Sequence, residues 1–120
     1  MIRKIKEVIK ELIDPISELA FDVMPEKKIY PHVVATFVTD YYSQGLHTIT
    51  LDIDVWDKNT LSKNVDEIAE EIEDKLNRFY FTDEYIHFSV WHISTGTIEN
   101  EDKTLRRKTC IFQIHARKGK

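Results

Sequence analysis

"HTITLDIDVWDK", residues 47–58, alternates apolar and polar side chains almost without a break. A strand sends successive side chains to opposite faces, so Ile49, Leu51, Ile53 and Val55 fall on one side and Thr48, Thr50, Asp52, Asp54 and Trp56 on the other. That pattern belongs to an antiparallel sheet with one covered face and one face left to water or a partner. The polar side raises the functional question. Two carboxylates two residues apart could hold a metal, act as a catalytic pair, or meet another protein.

Upstream, "HVVATFVTDYY" (32–42) is rich in β-branched and aromatic residues and reads as a strand, joined to the first by the turn residues "SQG" at 43–45. "MPEKKIYP" (24–31), with two prolines, reads as a connection. Before it, Ile2, Ile5, Ile9, Leu12, Ile16 and Leu19 recur at intervals of three and four, the signature of an amphipathic helix. Pro15 lacks an N–H, so a kink is expected there, or a helix restart with Asp14 as cap; either way the stripe continues to Leu19.

Downstream, "DKNTLSKN" reads as a loop, and Val65, Ile68, Ala69, Ile72, Leu76 and Phe79 mark a second helix, with Asn64 and Glu67 spaced as in a capping box. "FYFTDEY" leads to a strand "IHFSVWHIS", a turn or long hairpin tip "TGTIENEDKTLR", and a strand "RKTCIFQIHAR". In that last strand Cys110, Phe112, Ile114 and Ala116 form the expected core side; Arg107, Thr109, Ile111, Gln113, His115 and Arg117 form the other. The expected fold is α+β in the order α-β-β-α-β-β: a four-stranded antiparallel sheet with both helices on one face. The other face carries Trp56 and Ile111 among its polar residues, so it is expected to be used rather than merely wet.

The 120 residues suit one domain. An apolar content of 42% beside 32% charged residues is that of an ordinary globular chain, and no run approaches the ~18 apolar residues of a spanning helix. "MIRKIKEVIKELI" mixes Lys and Glu among its isoleucines, unlike a signal peptide, so the chain is expected to stay in the cytoplasm. A single cysteine, Cys110, allows no internal disulfide. A net charge of −4 argues against a protein whose main task is to wrap nucleic acid, although "LRRK" (105–108) and "ARKGK" at the end form local basic runs.

Asp52 and Asp54 could hold Mg²⁺ or Mn²⁺ in a small metal-dependent nuclease, with Asp57 and Lys58 close by. Against this stand the lack of a Gly-rich phosphate loop, a metal motif, or a third acid at a recognisable spacing. His32, His47, His87, His92 and His115 show none of the usual ligand spacings, and His87 and His92 have opposite strand parity. Cys110 has core-facing parity and reads as a buried side chain rather than a nucleophile. Trp56, Tyr41, Tyr42, Trp91 and Tyr85 could stack single-stranded nucleic acid, but the acidic pair shares a face with Trp56 and would repel phosphates. No catalytic residue, metal or cofactor is expected. "NEDKTLRRK" carries both charge signs, as a solvated hairpin tip or a head-to-tail contact would.

"IYPHVVATFVTDYYSQGLHTITLDIDVWDKNTLSKNVDEIAEEIEDKL" resembles the middle of the tail terminator, or tail completion, proteins of long-tailed phages and prophages. The matching positions are Tyr30, Pro31, Val33 and Val34, then Leu51, Ile53, Val55 and Trp56, then the acidic helix from about Val65. The similarity covers most of the chain after residue 25. It implies a non-enzymatic subunit of a hexameric ring at the head-proximal end of the virion tail. Such a ring caps the tail tube and offers the docking surface for the head, with the tail tube protein and a head completion or neck protein as partners and DNA passing through the channel. Another neck component, for head completion or head-tail joining, is the nearest alternative. From strand parity, Asp52, Asp54 and Trp56 are the candidates for a subunit contact or channel wall, and Arg106, Arg107 and Lys108 for the complementary patch.

Overall fold

The computed structural model describes residues 1–17, 19–21, 31–58, 63–99, 101–102 and 104–119. In chain order the elements are α1 (Ile2–Ile13), β1 (Leu19–Phe21), β2 (His32–Ser43), β3 (Leu46–Lys58), α2 (Lys63–Leu76), β4 (Phe79–Thr82), β5 (Ile86–Ile98) and β6 (Leu105–Lys118). The strands form one sheet in the order β1-β2-β3-β6-β5-β4. The five strands β2 to β6 pair antiparallel, giving α-β-β-α-β-β-β, and the three-residue β1 adds to β2 in parallel. This corrects the expectation of four strands.

Both added strands are short. β4 is the "FYFT" of a stretch given no element, because four residues are too few to show alternation. β1 falls where the helical stripe was expected to run on to Leu19. Instead α1 stops at Ile13, and Asp14 closes it. The Asp14 carboxylate accepts from the Leu19 N–H at 3.0 Å and lies 3.2 Å from Lys10 Nζ, which donates to the Leu19 carbonyl at 2.8 Å. A side-chain clamp thus redirects the chain into a strand where a second helical segment would otherwise begin. α2 likewise ends at Leu76, three residues before the end of its expected stripe. Arg78 takes φ 63° and donates its N–H to Val90 O at 2.8 Å, which sends Phe79 into the sheet.

The β2–β3 turn follows its sequence closely. Gln44 (φ 51°) and Gly45 (φ 82°) are both left-handed, the two-residue geometry whose twist matches a hairpin. The connection expected over 24–31 and the middle of the loop after Lys58 lie largely outside the described residues, as does Tyr30. The β5–β6 tip is shorter than expected because both strands extend into it.

The core lies between the two helices and one sheet face. Ile49, Leu51, Ile53 and Val55 of β3 and Cys110, Phe112, Ile114 and Ala116 of β6 are fully buried there. They pack against Ile5, Ile9 and Ile13 of α1 and Val65, Ala69, Ile72 and Leu76 of α2. Strands of twelve to fourteen residues draw the molecule out to 50 × 24 × 22 Å. One end carries the β2–β3 turn and the start of β5; the other carries Lys58 and the β5–β6 tip.

Candidate functional site

The sheet face away from the helices is assembled mainly from β3 and β6. Register places Thr48, Thr50, Asp52, Asp54 and Trp56 opposite His115, Gln113, Ile111, Thr109 and Arg107. Thr50, Gln113 and the aliphatic Ile111 occupy its centre, and an ion pair forms toward one end. There Asp54 Oδ1 accepts from Arg107 at 3.0 Å (Nη2) and 3.1 Å (Nε), and from the Thr109 hydroxyl. The Arg107 guanidinium also lies over the Trp56 ring, 4.7 Å from its centroid, and Trp56 stacks on His32 at 6.2 Å. His32 and Val34 are buried although they stand on this open side.

Asp52, one rung further in, lacks such direct support. Partial burial pushes its carboxyl above the ordinary value, the Asp54 charge adds to that, and Arg107 only partly offsets it. The acidic pair therefore shares a face as expected, but its members differ: Asp54 is held by Arg107 and Thr109, and Asp52 is the acid disfavoured as an anion.

The three basic candidates are divided between faces. Arg107 is on the open face. Lys108 reaches the helix side, where its Nζ lies 2.8 Å from Asp66 of α2, and Arg106 stands opposite the buried Asp57 in register. In sequence Asp57 is a neighbour of the acidic pair. Its parity turns it inward, where its carboxylate accepts from the Lys58 N–H at 2.9 Å and from Asn64 Nδ2 at 3.1 Å. Asn64 is thereby used on Asp57.

The histidines separate as parity requires. His87 lies on the open side, while His92 turns under α2, 3.6 Å from Glu73 and 2.6 Å from Thr95 Oγ1. Glu73 also accepts from Thr95 and sits 3.9 Å from the Cys110 sulfur. Glu73 has no sequence motif around it, yet it lies four residues after Ala69 and so beside the buried stripe. Burial pushes the Cys110 thiol up to about 11. Among the described residues no group of three His, Cys, Asp or Glu side chains could hold a metal ion.

Three of the aromatic residues considered for stacking collect at one end, beside a depression that the linear sequence does not show. Tyr41 and Tyr42 at the β2–β3 hairpin and Tyr85 before β5 stand exposed at one end of the molecule. At the same end Tyr80, Thr82, His87, Ser89, His115 and Arg117 line much of a shallow depression of about 340 Å³. Aromatic surface thus collects at the end opposite the charged β5–β6 tip.

The fold is shared with a virion chain. A chain in the virion of a native gene transfer agent particle superposes with a TM-score of 0.65 over 93% of this chain and 85% of that one, at 13% sequence identity. At that identity the likeness is one of fold. The sequence matches no family model and no curated protein. No described helix is long and apolar enough to cross a membrane.

Proposed function

We propose that this chain is a structural subunit of a phage-type virion, and within it the tail terminator that caps the tail tube and receives the head. The fold likeness to a virion chain over nearly all of both chains carries the broader reading. The resemblance of residues 29–76 to tail terminators supports the narrower one, which is non-catalytic.

The geometry suits such a role. A ring subunit needs one face toward the channel, two unlike lateral margins and two unlike axial ends. The middle of the open face, with Thr50 and Gln113 beside Asp52 and Asp54, has its guanidinium, Arg107, already paired to Asp54, while Arg117 stands toward the tyrosine end. Such a wall would let a DNA polyanion slide past without binding it. The tyrosine end and the charged tip differ in chemistry, as docking to a tube on one side and to a neck protein on the other requires.

The test is electron microscopy of the purified protein mixed with tail tubes. Rings capping one end of each tube are expected; binding to the head-side neck alone would make the chain a different neck component. Reversing Asp52 and Asp54 to Lys should lower phage titre, and wild-type assembly with wild-type titre would remove the channel or contact role of this face. Cleavage of DNA with Mg²⁺ or Mn²⁺ that is lost in Asp52→Asn would overturn the non-catalytic reading.

A further inference from the structure

The two lateral margins of the sheet are stepped, and the steps are complementary. On one margin β1 covers β2 only at residues 33–35. On the other, β4 covers β5 only at residues 87–90. Among the described residues no strand pairs with the outer side of the rest of β2 or β5.

Tracing the ladder across the sheet fixes the levels of these steps. Val33 to Ala35 run through Val55 to Ile53 and Lys108 to Cys110, arriving at Thr97 to Thr95 of β5. β1 therefore projects at the level where the far margin has no β4. In the same way Phe88 and Val90, which β4 covers, run through Ala116 and Ile114 and then His47 and Ile49 to Tyr42 and Asp40 of β2. β4 projects where the near margin has no β1.

Between the two steps each margin has a β-bulge. In β2 it falls between Phe37 and Thr39, in β5 between His92 and Ser94, and the ladder puts the two within one residue of the same level. The residues they turn out are Val38, 53% exposed, and Ile93, 56% exposed. Bulges often guard a free sheet edge, but such guards are commonly charged or bent away. Here both present an aliphatic side chain to solvent.

We propose that copies of this chain associate side by side in one orientation through these margins. β1 of one copy enters the step beside residues 95–97 of the next, antiparallel to β5. β4 of that next copy enters the step beside residues 40–42 of the first, parallel to β2. Val38 meets Ile93 in the middle. Each copy uses two different margins, so the contact is heterologous and builds a ring or an open row. The inference deepens the ring reading above by naming its lateral contact, with a second copy of this chain as the occupant.

The test uses concentrated purified protein carrying Val38→Cys or Ile93→Cys, both at exposed positions, with Cys110 left buried, and a short bis-maleimide as crosslinker. A mixture of the two variants should give a crosslinked dimer about tenfold or more in excess of either variant alone, because a formed contact raises the local thiol concentration. A chain carrying both substitutions should give a ladder in steps of 14.2 kDa. Equal product from the mixture and the single variants, or none, would overturn the proposal. The virion reading fails separately, by absence of the chain from purified particles, whatever the crosslinking shows.

Discussion

Arg107 Nη2 lies 3.0 Å from Asp54 Oδ1 and ties β6 to β3 across the open face, with the same guanidinium over Trp56. The side chains are 28% and 16% exposed, which puts the pair between a surface ion pair and a buried one. In a double-mutant cycle with Asp54→Ala and Arg107→Ala, the coupling is expected at about 1–2 kcal/mol in urea unfolding. Arg107→Lys should recover little of it, since an ammonium lacks the flat fork that bonds Asp54 twice and covers the indole. A coupling near zero would show that the pair is set by solvent.

Asp57 should matter more to stability than either open-face acid. It is buried, and its removal leaves Asn64 Nδ2 and the Lys58 N–H without their acceptor. Asp57→Ala is expected to cost about 2–3 kcal/mol, and Asp57→Asn less because an amide oxygen can still accept. Chemical denaturation of the two variants side by side decides this.

Asp52 leads to a pH dependence of opposite sign from that of a salt-bridged acid. Its folded-state value is raised, so the native state holds the proton more tightly than the unfolded chain. Its contribution therefore favours folding at low pH and is lost as pH rises through the window between the unfolded and folded values. Asp52→Asn should raise the midpoint of unfolding at neutral pH and leave it unchanged at acid pH, well below both values. A lower midpoint at neutral pH would mean that the Asp52 charge is stabilised by its surroundings.

Cys110 gives a probe of opening. The thiol is fully buried and pushed up to about 11 from an ordinary 9.0. The unfolded thiol ionises first, so this group's stabilising effect is complete below about pH 9 and is lost as pH rises toward 11. At mildly alkaline pH alkylation should be slow in the native protein and fast in denaturant. Rapid native labelling would show local opening between α2 and β6.

How much was legible in the sequence depended on element length. Where a strand or helix was long, periodicity was enough: the inward set on β3 and β6, the buried stripe of α2 and the split between His87 and His92 all follow from parity. Asp52, Asp54 and Trp56 share a face for the same reason. Short elements carry too few residues to establish a period: the four of β4 show no alternation, and Leu19 of β1 extends the helical stripe of α1. The basic run at 106–108 looked like one patch because sequence adjacency conceals alternation.

The sequence by itself determined the local order and the sidedness of each long element, because both arise from backbone geometry repeated every two or 3.6 residues. Only the tertiary structure decided what stands beside what. It paired Arg107 with Asp54, turned Lys108 to Asp66, and brought two bulges from distant segments to one level on opposite margins. Those relationships depend on the strand order β1-β2-β3-β6-β5-β4 and its register. Register is set by long-range pairing against a shared core, and no local window of the chain contains both partners.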